Sequence, residues 1–173
     1  MRVIVRLLMF LAGGTLAVAL LILVAIHSNG SIETDAWINR PPEDVWKVLT
    51  ATSSYGSWNP MICRLSGDLR AGNEIEFVEG PSPSDGMVFH PTVLVAKPAR
   101  ELTWKGSVWV PGIFDGRHSF ILEGKGSKTH FIQREEFSGL FAGRLTKGIL
   151  VETSRQMAAM NLALKKRVES NNP

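Results

Sequence analysis

The order of secondary-structure signals after residue 30 restricts this chain to very few folds. Residues 31–38 alternate apolar and polar side chains, which predicts a strand. A helix at 41–50 follows, opened by Pro41 and Pro42, and then a turn with a second short helix at 53–60. Six further strands, separated by short breaks rich in Gly, Pro and Asp, are predicted at 61–69, 73–79, 86–97, 100–110, 115–123 and 128–138. The short breaks favour antiparallel neighbours.

Residues 140–169 form the only predicted helix long enough to cover such a sheet. Its apolar side chains recur at spacings of three, four or eight residues and form one stripe: Phe141, Leu145, Ile149, Met157, Met160, Leu164 and Val168. A helix of this length spans about 45 Å. Because a sheet must bury its apolar face, we expect an α+β fold in the order β-α-α-β6-α. A curved, seven-stranded antiparallel sheet would wrap round the helix and leave a cavity wherever side chains do not fill the space.

An uncharged run near the N-terminus predicts a membrane anchor. Residues 7–26 carry no charge, and Thr15 is the only polar side chain among them. A helix of this length matches a hydrocarbon core of about 30 Å. Arg2 and Arg6 precede the run and are expected to hold the N-terminus in the cytoplasm.

The anchor predicts two regions and a location. Residues 1–29 would form a transmembrane anchor and linker, and residues 30–173 a globular domain on the outer or periplasmic side of a single-pass membrane protein. A cleaved signal peptide is the alternative, with Ser28 and Gly30 at a weak cleavage site.

Charge and cysteine content argue against several classes of protein. The chain has 19 Lys and Arg and 16 Asp and Glu, and two of the basic residues precede the apolar run. The domain therefore lacks the basic surface of a nucleic-acid-binding protein. Cys63 is the only cysteine, so no internal disulfide is possible. Four scattered histidines show no metal-ligand spacing, and we expect a monomer with no metal and no cofactor.

The last predicted strand carries polar residues on a buried face. Alternation places Gln133 and Glu135 on the same face as Phe131 and Phe137. A buried amide or carboxylate without a partner costs several kcal/mol, about 2–7 on common scales. These two side chains therefore need partners, water or a ligand.

The strand before it offers a partner. His118 shares an apolar face with Phe120, so its imidazole is expected to point into the same cavity as Glu135. A His–Glu pair in an apolar pocket suits general acid–base chemistry, with Gln133 orienting a substrate. The alternative is a structural role, in which the two side chains hydrogen-bond to each other or one of them is hydrated at the cavity mouth.

Three more side chains are candidates for the cavity wall. Trp104 shares a face with Leu102, and Met157 and Met160 lie on the apolar stripe of the helix, where methionine adapts to irregular partners. Ordinary core packing explains them equally well. His90 stands before Pro91 and predicts a bulge or bend in the 86–97 strand.

Seven segments in order resemble one known superfamily. They are INRPPEDVWKVLT, YGSWNP, GDLRAGNEI, RELTWKG, FDGRHSFILE, THFIQREEFSG and MNLALKKRVE, and they cover essentially all of residues 31–169. They look like the polyketide cyclase/dehydrase-like branch of the START/SRPBCC superfamily. The resemblance implies a helix-grip (START/Bet v 1-like) fold with a deep cavity for hydrophobic small molecules. It supplies no catalytic motif.

The resemblance also gives an expectation for the aromatic residues of SSYGSWNP. In similar proteins this segment closes one side of the cavity, which would make Trp58 a buried cavity wall and let Asn59 and Pro60 turn the chain into the next strand. Packing alone is the alternative for Trp58. Tyr55 is expected to be a half-exposed cap on the short helix.

Two functions follow from these expectations. The first is a membrane-tethered binding module for a hydrophobic or amphipathic small molecule, such as a lipid-like one. The expected ligand contacts are Trp58, Trp104, His118, Phe120, Phe131, Gln133, Glu135, Met157 and Met160. The second is a cyclase- or dehydratase-like enzyme in which Glu135 and His118 are the acid and base. A structural domain with a vestigial cavity is a third possibility.

Overall fold

The computed structural model describes residues 13–15, 30–108, 110–140 and 142–170, without the side chains of 143–147. Residues 13–15 are helical, and the described residues from 30 onward form eight strands, two α-helices and a 3₁₀ helix. In order they are β1 (Gly30–Ile38), α1 (Pro42–Leu49), the 3₁₀ helix (Thr52–Ser57), β2 (Ile62–Ser66), β3 (Glu76–Glu79), β4 (Met87–Phe89), β5 (Thr92–Lys97), β6 (Glu101–Val108), β7 (Phe114–Lys125), β8 (Lys128–Ser138) and α2 (Ala142–Ser170).

The strands form two antiparallel sheets under the long C-terminal helix. The larger sheet has the order β1-β8-β7-β6-β5 and the smaller has the order β2-β3-β4. Helix α2 packs against β1 and β8, and α1 packs against α2. The predicted α+β architecture, with a large antiparallel sheet and a C-terminal helix, is confirmed.

The prediction of one continuous seven-stranded sheet is wrong. The segment expected as a single strand at 86–97 divides into β4 and β5 at His90 and Pro91. Proline has no amide hydrogen to donate, so the ladder cannot continue through it. The two sheets remain linked beside the break, where Ile75 N donates to Pro91 O (3.0 Å) and Val93 N donates to Asn73 O (2.9 Å).

The segment between α1 and β2 differs from expectation at both aromatic residues. Tyr55 is completely buried, and its hydroxyl donates to Leu49 O at 2.7 Å. Trp58 is only half-buried, with its ring centroid 5.1 Å from that of Tyr55. The expectation of a half-exposed Tyr55 is therefore wrong, because the 3₁₀ helix turns this ring inward. Asn59 Oδ1 accepts from the amides of Met61 and Ile62, both at 2.9 Å, and leads the chain into β2.

Helix α2 has a buried C-terminal half. Met157, Met160, Leu164 and Val168 of the predicted stripe lie in the core, at most 3% exposed. Phe141 and the side chain of Leu145 lie outside the described residues. At the far end Lys165 Nζ donates to Trp37 O (2.6 Å), which fixes the helix to β1.

No helix within the described ranges is both long enough and apolar enough to span a bilayer. Except for residues 13–15, the predicted anchor at 7–26 lies outside those ranges, as does Trp109.

Candidate functional site

A cavity of about 420 Å³ lies between the first half of α2 and one end of the large sheet. At this end β6 and β8 finish and β7 begins, and the small sheet closes the opposite side. Most of the wall is apolar. The apolar lining residues are Met61, Ile62, Phe77, Met87, Phe89, Pro91, Trp104, Val108, Phe114, Phe137 and Ile149.

A pair of glycines helps to keep this space open. Gly106 and Gly116 face each other across β6 and β7, and both line the cavity. A Cβ at Gly116 would lie 2.8 Å from Glu135 Oε1, and a Cβ at Gly106 would lie 3.3 Å from the Cβ of Pro91. Side chains here would therefore take volume from the cavity or displace Glu135.

His118 and Glu135 form a buried pair in the cavity wall. Cross-strand pairing of β7 and β8 places them opposite each other, and His118 Nδ1 contacts Glu135 Oε2. The imidazole also lies beside Trp104, with ring centroids 5.6 Å apart, and beside Phe120, at 4.6 Å. Both side chains are largely buried, so solvent screens their electrostatic interaction less than it would at the surface.

Gln133 contacts the second ring nitrogen of His118. Its Nε2 lies 2.8 Å from His118 Nε2 and 3.5 Å from Met160 Sδ, while its buried Oε1 has no partner among the described residues. With the amide nitrogen toward His118, Nε2 of the ring must accept, so the ring proton is on Nδ1 and faces Glu135. The opposite amide orientation would present Oε1 and suit an imidazolium.

Glu79, at the end of β3, is a third ionisable group in the wall. Burial raises its pKa above the ordinary value; His118 lowers it and Glu135 raises it, and the net shift is upward. Glu79 also borders an outer groove beside the β3–β4 loop. Sequence patterns missed this residue because the strand ends at Glu79 and a loop was expected to begin there.

Asp115 supports the loop next to the cavity on the other face of the sheet. Its carboxylate accepts from Lys105 Nζ (2.9 Å), Ser107 Oγ (2.7 Å) and Gly112 N (3.0 Å). Burial acts to raise its pKa, but these hydrogen bonds and the charge of Lys105 outweigh it and hold the pKa below the ordinary value.

Comparison with protein families gives a match over residues 30–169, to the family described as polyketide cyclase / dehydrase and lipid transport. The chain belongs to this family. The superfamily expected from the seven segments is therefore confirmed. No functionally curated protein matches the sequence.

Solved structures show the same fold in distant proteins. Protein MLL2253 from Mesorhizobium loti is 18% identical, with a TM-score of 0.65, and the match covers 83% of this chain and 100% of that one. Ara h 8.0201 is 13% identical, with a TM-score of 0.64 over 83% of this chain and 99% of that chain. The ZhuI aromatase/cyclase from Streptomyces sp. R1128 is 14% identical, with a TM-score of 0.62 over 82% and 94%.

In this member of the polyketide cyclase/dehydrase family, three of the nine expected contact residues line the cavity: Trp104, His118 and Glu135. Trp58 packs on Tyr55 instead of forming a cavity wall. The other five lie in the core away from the cavity surface: Phe120, Phe131, Gln133, Met157 and Met160. The second half of α2 packs closely on the sheet and fills that part of the interior.

The described residues offer no cluster of three His, Cys, Asp or Glu side chains that could hold a metal ion. The cavity instead combines a large apolar surface with three ionisable side chains. Such a site can bind an apolar molecule and place a proton donor or acceptor against it.

Proposed function

We propose that this protein binds a hydrophobic or amphipathic small molecule in the cavity between α2 and the end of the sheet. The observation that carries the proposal is the apolar cavity of about 420 Å³ with a buried His118–Glu135 pair in its wall. Ligand pockets commonly have about 300–1,000 Å³ and a few oriented polar groups. The family description, which includes lipid transport, supports the same class of ligand.

A cavity-blocking substitution tests this proposal. Thr153 lines the cavity from α2, whereas Val151, two residues earlier, is 77% exposed. We expect Thr153→Trp to weaken binding of the neutral fluorescent probe N-phenyl-1-naphthylamine at least tenfold, because the indole occupies the cavity. Val151→Trp is the matched control and should bind as the wild type does. Equal binding by all three proteins would contradict the proposal.

A cyclase- or dehydratase-like activity is the second candidate. The observation that favours it is the direct contact of His118 Nδ1 with Glu135 inside the cavity, because groups separated by more than one water could not act together. Glu135 would accept a proton from a carbon next to a carbonyl and His118 would return one to the substrate.

Hydrogen exchange at a model ketone tests this second candidate. We expect the protein to accelerate solvent deuterium exchange of 2-tetralone, followed by NMR, and Glu135→Gln to abolish the acceleration. Glu136→Gln changes the exposed neighbouring carboxyl and is the control. Exchange at the buffer rate with the wild type, under conditions where the ketone is bound, would exclude this chemistry.

The proposal also includes a membrane anchor that precedes the domain. The uncharged run at 7–26 supports an anchor. Strand β1 begins at Gly30, which pairs with Phe137 in the cavity wall, so the chain enters the domain at the cavity end. An anchor would therefore hold the cavity near the bilayer, on the outer or periplasmic side. Lipid-like molecules could then reach the cavity with little exposure to water.

A further inference from the structure

We infer that the cavity prefers apolar ligands with a cationic group, such as an amine, over apolar carboxylic acids of the same size, and that Glu79 is the residue that sets this preference. The inference rests on the proposed function, because it names the class of ligand for the same cavity.

The charges in the cavity wall are the first reason. Among the described lining residues the ionisable groups are Glu79, His118 and Glu135, with no Lys or Arg. The imidazole of His118 is already engaged by Glu135 and Gln133. Among the described lining residues, a ligand carboxylate would thus meet two carboxyl groups and no Lys or Arg side chain, which is unfavourable where screening by solvent is weak.

The position of Glu79 is the second reason. Glu79 lines both the cavity and the outer groove, so it stands where the two spaces meet. Other acidic groups near the cavity have partners: Glu135 contacts His118, and Asp115 accepts three hydrogen bonds. No hydrogen bond or ion pair to the Glu79 carboxyl occurs in the described part of the chain. It is therefore free to pair with a ligand ammonium, and such a charge-assisted bond is among the stronger ones.

Loss of a proton from Glu79 on amine binding is a second measurable consequence of this preference. The groups that act on Glu79 are His118 of β7 and Glu135 of β8, and Asp85 of the β3–β4 loop borders the same groove. The uncharged residues that line the same groove are Met61, just before β2, Met87 and Phe89 of β4, and Gln156 of α2. Burial favours the neutral form of Glu79, whereas a nearby ammonium favours the carboxylate. Binding of an amine should therefore release a proton from Glu79.

Three matched probes test the preference by calorimetry with the full-length protein at neutral pH. They are 1-naphthylmethylamine, 1-naphthalenemethanol and 1-naphthoate, which share one apolar body. We expect the amine to bind at least tenfold more tightly than the alcohol, and the acid to bind most weakly. Glu79→Gln should bring the amine to the affinity of the alcohol and leave the alcohol unchanged. Glu76→Gln, on the same strand but in an exposed ion pair with Arg64, is the control and should resemble the wild type.

Amine titrations in buffers of different ionisation enthalpy measure the proton. We expect proton release on amine binding that is larger near pH 6 than near pH 8, and none with Glu79→Gln. Tight binding of the acid, or an amine preference that survives Glu79→Gln, would overturn the inference while the cavity remains a binding site. Failure of all three probes to bind would count against the proposed function itself, and the inference would fall with it.

Discussion

Tyr55 joins the first helix to the 3₁₀ helix through one buried hydrogen bond. Its hydroxyl donates to Leu49 O, the last residue of α1, at 2.7 Å, and burial raises the pKa of the phenol, so the neutral donor is maintained. The ring lies entirely inside the core. A change that removes only the hydroxyl therefore leaves a buried carbonyl without its donor.

We expect Tyr55→Phe to lower the free energy of unfolding by about 1–2 kcal/mol. Urea denaturation measures the change. Ser54→Ala removes an exposed hydroxyl that donates to Ala51 O and should change stability by less than about 0.5 kcal/mol. Equal stability of Tyr55→Phe and the wild type would show that water replaces the lost donor.

Asp115 makes stability depend on pH in the acidic range. Because its pKa is lower in the folded chain than in the unfolded one, its contribution is present above the unfolded pKa of about 3.9 and is lost as pH falls through the folded pKa. We expect Asp115→Asn to be less stable than the wild type at neutral pH and to lose less stability on acidification. Thermal melts between neutral and strongly acidic pH measure both effects. Parallel curves would contradict the assignment.

The two halves of helix α2 have different structural roles. Its first half borders the cavity through Ile149 and Thr153, whereas the second half is buried against the sheet through Met157, Met160, Leu164 and Val168. Asn161 Nδ2 donates to Thr34 Oγ1 at 2.9 Å and aligns the second half with β1. The second half therefore stabilises the domain and the first half leaves room for a ligand.

Truncation of one buried methionine tests this division. We expect Met157→Ala to lower the free energy of unfolding by about 2–5 kcal/mol, because it leaves a cavity in the packed half. Leu162→Ala, at a position 63% exposed on the same helix, should cost less than about 0.5 kcal/mol. Denaturant titrations compare the two. A small loss for Met157→Ala would mean that the second half of α2 is loosely packed.

The cavity lies at only one of the two ends of the large sheet. Gly30 pairs with Phe137 at the cavity end, and Lys125 pairs with Lys128 at the opposite end. Eleven residues of β8 separate these ends by about 35 Å, at about 3.3 Å per residue. A tether before Gly30 would hold only the first end close to a membrane.

Fluorescent labels at the two ends measure this orientation. On a Cys63→Ser background we expect a label at Val110→Cys, in the loop after β6, to be quenched by spin-labelled lipids. A label at Lys125→Cys should not be quenched. Equal quenching would reject the orientation, and a protein that does not bind lipid vesicles would reject the tether.

Local patterns in the sequence determined the elements and their buried faces. Alternation in β8 correctly placed Phe131, Gln133, Glu135 and Phe137 inside, because side chains of a strand point to opposite faces in turn. The same rule placed His118 on the facing strand. His90 and Pro91 indicated a bulge or bend, since proline cannot donate to a ladder, but not the division of this segment into strands of two sheets. These features depend on residues that are close in the sequence, so local sequence patterns are enough to predict them.

Only the tertiary structure decided which buried residues border open space. Gln133 and Glu135 share a face, yet Glu135 lines the cavity and Gln133 lies in the core, because α2 approaches the sheet closely at one end and not at the other. The Gly106–Gly116 pair belongs to the site through the pairing of β6 with β7, and Glu79 through its approach to strands distant in sequence. Cavity volume is the space left after many side chains pack. No local pattern specifies it, and it depends on the position of the whole helix.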